Sequence, residues 1–316
     1  MRRVAGLSIR AFVLLAIVVL AIDAWRNPEQ TALDAAARAG VPGRFVTLSP
    51  GVTHYEIGGP DSGRLVVLVH GNSVPYYIWD STFAALQRSG IRVLRYDLYG
   101  RGYSDRPDVR YDGALYDRQL SELLDSLHIA GPVDLAGLSF GGFVTAHFLT
   151  SHPTRVRTLT LVDPVSASGA PPTLFRLPLA GAWFWQVTAV PGLAAGQVTD
   201  FLHPELHPTW VDQYRPQMRV KGFGRALRSS MLAASTVSYD SLYSAVGRAG
   251  IPVLLVWGRQ DQTVPFAYSK MVRRGIPSAE FVPVDSAGHL PHIEQAALFN
   301  ARLLAFLAAH PPAATR

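Results

Sequence analysis

The sequence lacks several features that would define other classes of protein. It contains no cysteine, so disulfides, thiolate metal sites and a cysteine nucleophile are excluded. It has no lysine- or arginine-rich run and no basic stripe interleaved with aromatic residues, which disfavours nucleic acid as a partner. No internal repeat or low-complexity tract is evident. With 316 residues and 48% hydrophobic content, the chain can bury one large core.

The N-terminal segment, residues 1–26, lacks a full-length apolar span. Arg2, Arg3 and Arg10 precede Ala11–Ile22, an uncharged apolar run that is shorter than the about 20 residues of a membrane-crossing helix. Its length fits a signal-peptide core, but the residues after it match the small-residue cleavage pattern poorly. We predict an N-terminal anchor in the cytoplasmic membrane with the main domain extracytoplasmic. The alternative is a cleaved signal and a secreted or periplasmic protein.

Strand-like and helix-like segments alternate along most of the remaining chain. Arg64–His70 and Ile91–Asp97 are near-continuous apolar runs rich in β-branched residues, as in strands buried on both faces. Leu115–Leu127 has the apolar spacing of an amphipathic helix. This alternation predicts an α/β fold with a mostly parallel central sheet flanked by helices.

The alternation stops at residues 165–250, which contain short helical pieces punctuated by proline and glycine and many aromatic residues. We interpret this stretch as a helical lid inserted into the core. The predicted core then has a first part, 45–164, and a second part, 251–310. Residues 27–44 are predicted to be a linker and 311–316 a tail.

The segment Val133–Gly142 reads V-D-L-A-G-L-S-F-G-G. A serine between a buried strand and a helix, with glycine two residues to either side, is typical of a nucleophile elbow. Gly137 and Gly141 would let the strand and the helix approach closely while the turn holds Ser139 in a strained conformation. The amide of Phe140 would lie at a helix N-terminus, where negative charge is favoured.

A serine hydroxyl needs a general base, and the base needs a carboxylate to orient it. Asp261 follows the strand-like Val253–Trp257, and His289 follows the last predicted strand, so serine, acid and histidine occur in the order expected after an elbow. We assign Ser139 as nucleophile, His289 as general base and acid, and Asp261 as the orienting carboxylate. Asp163, just after the next strand, is the alternative acid.

Other polar residues near these motifs are predicted to be structural. His70 is expected to order its loop by hydrogen bonds, and Asp134, which begins the elbow strand, is expected to face solvent. His292 is expected to make a local contact at the start of the closing helix. It is the alternative to His289 as the base.

Four landmarks in sequence order resemble the α/β-hydrolase superfamily over roughly residues 45–310. They are His70-Gly71, Gly137 through Gly142, Trp257 through Asp261 with Val264-Pro265, and Gly288-His289 with Pro291. The resemblance implies the α/β-hydrolase fold with its inserted lid. It also implies an oxyanion hole made by the backbone N–H groups of Asn72 and Phe140. Ser73, in the same loop, is a candidate substrate contact.

The segment from His70 to Trp79 also resembles haloalkane dehalogenases. Those enzymes and epoxide hydrolases use an aspartate at the elbow, whereas this chain has Ser139 there, so both activities are excluded. The remaining chemistry requires no cofactor and no metal, because a serine, an imidazole and two amides suffice.

The predicted lid is rich in aromatic side chains, namely Phe175, Trp183, Phe184, Trp185, Phe201, Trp210, Tyr214 and Phe223. Each of them more commonly packs against a core, but together they predict an apolar roof that suits an acyl chain or an aromatic acid. Trp183 and Trp185 are candidate substrate contacts and could also lie at a bilayer surface. We therefore expect a carboxylesterase or monoacylglycerol-lipase-like enzyme that cleaves a small hydrophobic ester through an acyl-enzyme on Ser139.

Three other functions stay open at this point. A hydrolase that cleaves carbon–carbon bonds of meta-cleavage-type diketones would use the same three residues, and so would a cofactor-free perhydrolase of the haloperoxidase type. The fold could also serve as a ligand receptor, although an intact set of serine, aspartate and histidine argues against that function.

Overall fold

The computed structural model describes residues 2–167 and 169–312, with side chains described from Arg10 onward. Residues 313–316 of the predicted tail lie outside the described residues. The strands are β1 (Arg44–Leu48), β2 (Gly51–Gly58), β3 (Leu65–Val69), β4 (Arg92–Tyr96), β5 (Val133–Leu138), β6 (Val156–Val162), β7 (Val253–Gly258) and β8 (Glu280–Val284).

These strands form one eight-stranded sheet in the order β1-β2-β4-β3-β5-β6-β7-β8. β1 pairs antiparallel with β2, and β2 antiparallel with β4, whereas every other neighbouring pair is parallel. Every residue of β3, β5 and β7 is buried, which is why β3 and β7 are continuous apolar runs in the sequence; β5 carries one buried carboxylate, Asp134. The predicted mostly parallel sheet is confirmed.

The described part of the chain contains fourteen α-helices, some of which cover the two faces of the sheet. They are α1 (Arg2–Arg26), α2 (Ala35–Arg38), α3 (Asp80–Arg88), α4 (Gly113–Ser126), α5 (Phe140–Ser151), α6 (Thr173–Arg176), α7 (Leu179–Phe184), α8 (Leu193–Gly196), α9 (Trp210–Met218), α10 (Phe223–Ala234), α11 (Tyr239–Arg248), α12 (Ser269–Gly275), α13 (Pro291–Glu294) and α14 (Ala296–Ala309). Alternate residues of each strand point to opposite faces, so Val67 packs into the core under α4 and α5 while Val66 packs into the core under α3 and α14.

The described residues between β6 and β7 form short helices, from α6 to α11. A π-helical turn at Trp185–Ala189 follows α7 directly. Trp185, Phe201 and Trp210 are buried in the same apolar cluster as one face of the sheet. The last of these helices, α11, packs against α5 and α12. The insertion also contacts the loops that follow the strands, since Gln217 Nε2 donates to Ser73 O after β3 and the Asp200 carbonyl oxygen accepts the His289 N–H after β8.

The prediction of a membrane anchor in residues 1–26 is wrong. In the part of the chain that the structure describes, no helix combines the length and the apolar character needed to cross a membrane. The end of α1 is instead attached to the insertion, since Arg26 Nε donates to the carbonyl oxygen of Val187 at 3.0 Å. Asn27 accepts a hydrogen bond from the Gln186 amide at 2.8 Å. These findings contradict the predicted membrane anchor, the membrane as a partner and the localisation derived from residues 1–26.

Candidate active site

Ser139 occupies a strained turn between β5 and α5. Its φ of +53° and ψ of −116° lie outside the regions that residues with a Cβ normally adopt. Two backbone hydrogen bonds hold the turn: Ser139 N donates to Val162 O at 2.9 Å, and Val165 N donates to Ser139 O at 3.1 Å. The neighbouring strand β6 and the loop after it therefore impose the conformation of the serine.

Glycine is required around this turn because backbone segments pass very close to it. A Cβ at Gly137 would lie 2.3 Å from the carbonyl oxygen of Gly141, and a Cβ at Gly141 would lie 2.3 Å from the carbonyl oxygen of Val69. A Cβ at Gly71 would lie 3.4 Å from the Cβ of Ser139. The loop after β3 thus passes directly beside the serine.

Asp261 and His289 form a buried pair at the same edge of the sheet, after β7 and β8. His289 Nδ1 lies 2.8 Å from Asp261 Oδ2. The other carboxylate oxygen of Asp261 accepts the backbone N–H groups of Thr263 at 2.8 Å and Val264 at 2.9 Å. An ionised carboxylate only accepts hydrogen bonds, so Nδ1 carries the proton and Nε2 is left free to accept one.

The surroundings of His289 favour its protonated form. Burial on its own would lower the pKa of the imidazole, but the charge of Asp261 and its hydrogen bond, with a smaller contribution from Asp200, raise the pKa above its ordinary value. A histidine of this kind takes up a proton readily near neutral pH, as a general base must.

Asp163, the alternative acid, lies beside this pair. One side-chain oxygen or nitrogen each from Asp163, Asp261 and His289 lie within 4.8 Å of one another. Asp163 Oδ1 also accepts the Gly258 N–H at 2.8 Å. Burial and the nearby charge of Asp261 raise the pKa of Asp163 well above its ordinary value. A neutral carboxyl stabilises an imidazolium less than a charged one does, so the geometry favours Asp261 as the orienting group.

These three side chains also resemble the donor set of a metal site. However, the direct hydrogen bond between His289 Nδ1 and Asp261 Oδ2 occupies two of the donor atoms with each other. The protonated form of Asp163 is a poor metal ligand. The arrangement therefore fits a catalytic pair better than a metal centre.

The loop after β3 is held by a neutral histidine. Leu98 N donates to His70 Nε2 at 2.9 Å, so that nitrogen is unprotonated, and Nδ1 donates to the Gly71 carbonyl oxygen at 2.8 Å. Burial lowers the pKa of His70 to about 4, consistent with this neutral form. His292 also makes a structural contact, because its Nε2 lies 3.1 Å from Ile78 O.

Arg101 is a residue whose role the sequence reasoning missed. Its side chain is fully buried, and it donates to the Asn72 carbonyl oxygen at 2.6 Å and to Asn72 Oδ1 at 3.0 Å. It also donates to Tyr116 and Ser230 at 2.6 and 3.0 Å. Because Arg101 binds both the carbonyl oxygen and the side chain of Asn72, it restricts the direction of the Asn72 N–H group. The available signal was a single charged residue between Gly100 and Gly102.

The two candidate tryptophans lie inside the helical insertion. Trp185 is buried, donates from Nε1 to the Gly224 carbonyl oxygen at 2.8 Å and packs edge-on against Phe175. Trp183 is half-buried and packs against Phe184. The contacts of both are those of packing residues, and their role toward a substrate stays a prediction.

Ser73 lies between the loop after β3 and the insertion. Gln197 Nε2 donates to Ser73 Oγ at 3.4 Å, and Gln217 Nε2 donates to its carbonyl oxygen at 2.8 Å. Ser73 is therefore one of the residues through which the loop contacts the insertion.

A cavity of about 400 Å³ is lined in part by the same stretch of chain. Its lining includes Pro75, Tyr76 and Tyr77, together with Gln217 of the insertion. Ser139 is not among its lining residues. This cavity adjoins the site of the chemistry without containing it.

Comparison with known proteins gives the same fold. The model of the alpha/beta hydrolase family matches residues 66–302. A 2-hydroxy-6-oxononadienedioate/2-hydroxy-6-oxononatrienedioate hydrolase from Cupriavidus pinatubonensis is 28% identical over 300 residues, which cover 88% of this chain and 99% of that protein. The structure of a thermophilic esterase from Thermogutta terrifontis aligns with a TM-score of 0.72 and 25% identity, over 85% of this chain and 100% of that one.

A third relative is longer than this chain. The dihydrolipoyllysine-residue acetyltransferase component of the acetoin cleaving system from Pseudomonas putida is 30% identical over 268 residues. The match covers 81% of this chain but 66% of that protein, just under two thirds of its length. The sheet order, the turn at Ser139 and the family match agree, and this chain is a hydrolase that belongs to the alpha/beta hydrolase family.

Proposed function

We propose that this enzyme hydrolyses carboxylic esters through an acyl-enzyme on Ser139. The observation that carries the proposal is the buried Asp261–His289 pair, joined at 2.8 Å, at the sheet edge where the strained turn presents Ser139. A positive φ at a residue with a Cβ is costly, and such strain is found chiefly where function requires it.

The reaction begins when Ser139 Oγ attacks the carbonyl carbon of the ester while His289 Nε2 takes the hydroxyl proton. The negative charge then moves to the carbonyl oxygen, where the N–H groups of Asn72 and Phe140 stabilise it. When the carbon–oxygen bond to the alcohol breaks, His289 gives its proton to the departing oxygen. Water, activated by the same imidazole, releases the acid and restores the serine.

The acyl part of the substrate is proposed to be hydrophobic, as in a monoacylglycerol-like lipid ester. Phe201 and Trp210 of the insertion are buried in one apolar cluster with residues of the loop after β3 and with Leu290, next to His289. Apolar walls with a few converging polar groups are usual for sites that bind small molecules. The resemblance to the esterase from Thermogutta terrifontis supports ester hydrolysis as the reaction.

A second candidate is the hydrolysis of carbon–carbon bonds in meta-cleavage-type diketones. The relative from Cupriavidus pinatubonensis bears the name of such a hydrolase and is matched over almost its whole length. The serine, aspartate and histidine would be the same, so the two reactions differ only in the substrate that the lid admits.

Labelling with a fluorophosphonate probe tests the nucleophile directly. We expect the probe to label Ser139 and the Ser139→Ala variant to remain unlabelled. A panel of p-nitrophenyl esters of increasing chain length, assayed beside a meta-cleavage diketone, separates the two candidates. Turnover of the diketone alone would replace ester hydrolysis with carbon–carbon hydrolysis, and absence of labelling would overturn both.

A further inference from the structure

Two successive backbone N–H groups at the proposed base are bound by different parts of the chain. Gly288 N donates to Glu294 Oε2 at 2.6 Å, and Glu294 belongs to α13. His289 N donates to the carbonyl oxygen of Asp200 at 2.8 Å, and Asp200 belongs to the insertion. The backbone that carries the imidazole is therefore held by a charged side chain and by the insertion. We call Gly288 and His289 the histidine loop.

The carboxylate of Glu294 also binds the insertion. Its other oxygen, Oε1, accepts the backbone N–H of Leu202 at 2.7 Å and that of His203 at 3.3 Å. An ionised carboxylate only accepts hydrogen bonds, and its two oxygens can serve donors on two different segments. Hydrogen bonds to a charged acceptor are also roughly twice as strong as those between neutral groups. Glu294 is therefore a bridge between the histidine loop and the insertion.

The two bridged segments lie in direct backbone contact. A Cβ at Gly288 would lie 2.8 Å from the carbonyl oxygen of Asp200 and 2.9 Å from Leu202 N. Asp200 is also bound to the loop after β7, since Thr263 Oγ1 donates to Asp200 Oδ1 at 2.6 Å. Thr263 N in turn donates to Asp261 Oδ1 at 2.8 Å. This part of the insertion therefore contacts the loop of the acid as well as that of the base.

Proton transfer between Ser139 Oγ and His289 Nε2 requires the two atoms to come within hydrogen-bond reach. A displacement of about 1 Å in an active site can cost on the order of 10²-fold in rate. Glu294 binds the backbone one residue before the imidazole, so it acts on where the ring lies. We propose that Glu294 is a positioning residue, which holds the histidine loop against the insertion and so sets the place of the imidazole relative to Ser139; this inference rests on the role of His289 proposed above.

Two substitutions and a matched control test the bridge in the hydrolysis of p-nitrophenyl butyrate. Glu294→Ala removes both acceptors, so kcat should fall by about 10- to 100-fold while KM changes little. Glu294→Gln keeps one oxygen but replaces the other with an NH2 group that cannot accept, so kcat should fall by only about three- to tenfold.

The control is Glu29→Ala. The Glu29 carboxylate also binds two backbone N–H groups of the insertion, those of Gly222 and Gly224, each at 2.6 Å. These donors lie at the start of α10 and not beside the histidine loop. The control variant therefore loses an attachment of the same kind, and its kcat should stay near the wild-type value.

The discriminating measurement is the proton NMR signal of His289 Nδ1–H. This proton lies in a hydrogen bond to the Asp261 carboxylate, which moves its signal far downfield, and His289→Ala, which lacks it, assigns the signal. We expect the signal to shift or to exchange faster with water in Glu294→Ala, to change less in Glu294→Gln and to stay unchanged in Glu29→Ala. A purely structural role of Glu294 would lower the unfolding temperature without moving this signal in the folded molecules.

An unchanged signal in both Glu294 variants, a wild-type kcat in Glu294→Ala, or the same losses in Glu29→Ala would overturn the inference. If Glu294→Ala does not fold, the kcat and the signal of Glu294→Gln decide in the same way. The signal requires no substrate, so it tests the bridge even if no ester is hydrolysed. Absence of fluorophosphonate labelling at Ser139 in the wild type would instead overturn the proposed function.

Discussion

The two ends of strand β5 differ in how their polar groups are held. A buried carboxylate is paired near the start of the strand, and a strained serine lies just past its end. Near its beginning, Asp134 is 1% exposed and is bound by two arginines. Arg64 Nη2 donates to Oδ1 at 2.8 Å, and Arg157 Nη2 donates to Oδ2 at 2.9 Å. The Thr158 hydroxyl adds a third hydrogen bond at 2.7 Å. Every charge at this end therefore has a partner.

Beyond the other end of β5, two features lower the stability of the folded state. Ser139 is held at a positive φ, and Asp163 is buried beside the carboxylate of Asp261. Backbone strain and the burial of two carboxyl groups side by side are costly for folding, and perturbed groups of this kind are found chiefly at functional sites. Strand β5 thus binds a paired carboxylate near its start and presents the proposed nucleophile just past its end.

The largest expected effect removes the nucleophile or the base. Ser139→Ala and His289→Ala should each lower kcat by about 10⁴- to 10⁶-fold, and the double variant should lose little more, because the two side chains act as one unit. Steady-state hydrolysis of p-nitrophenyl butyrate measures this loss, with thermal unfolding as the control for folding. Independent losses that multiply in the double variant would contradict a joint role.

Replacing Asp261 should have the next largest effect. Asp261→Asn should lower kcat by about 10⁴-fold because the imidazole loses its orienting charge. In the wild type, kcat/KM should fall with acid below a midpoint that lies above the ordinary histidine pKa, since Asp261 raises the pKa of His289. In the variant, burial lowers that pKa and only the smaller contribution of Asp200 opposes it, so the midpoint should move to lower pH. An unchanged midpoint would point to Asp163 as the acid.

A substitution at the start of β5 should separate stability from activity. Asp134→Asn leaves Arg64 and Arg157, which are 12% and 15% exposed, without their buried counter-charge. The free energy of unfolding should fall by about 3–5 kcal/mol. Urea unfolding measures it, and kcat per folded molecule should stay near the wild-type value. A large loss of kcat in the folded variant would show that the two ends of the strand are not independent.

Arg101 should have an intermediate effect confined to the chemical step. Arg101→Gln releases the carbonyl and side chain of Asn72, so the Asn72 N–H should no longer be held toward the oxyanion, and kcat should fall by about 10- to 100-fold. The discriminating readout is the affinity for a boronic acid transition-state analogue, which should weaken in parallel with kcat while KM changes little. A rise in KM that accounts for the whole fall in kcat/KM would instead indicate a general disruption of the loop.

Local sequence signals predicted the sheet, because buried parallel strands are long apolar runs and the glycines at 137 and 141 mark a turn with no room for side chains. They also predicted the segments after strands that carry Asp261 and His289. The partners of Asp134 could not be predicted, and the expectation that it faces solvent was wrong. Arg64, which lies just before β3, and Arg157 of β6 reach it from segments that are distant in sequence. Arg101 was missed for the same reason, since Ser230, one of its partners, lies 129 residues away.

The smallest expected effect is a gain of stability at Asp163. A buried carboxyl with a raised pKa must take up a proton on folding at neutral pH, so the folded state loses stability as pH rises above the ordinary aspartate pKa toward the raised one. Asp163→Asn keeps an acceptor for the Gly258 N–H and needs no proton. The variant should be more stable by about 1 kcal/mol or more at pH 8, and its advantage should shrink toward pH 5. Thermal unfolding across this range measures the difference, with Asp163→Ala, which loses the acceptor, as the control. A variant less stable than wild type at pH 8 would mean that Asp163 is ionised and that its charge is stabilised by its surroundings, as the charge of Asp134 is.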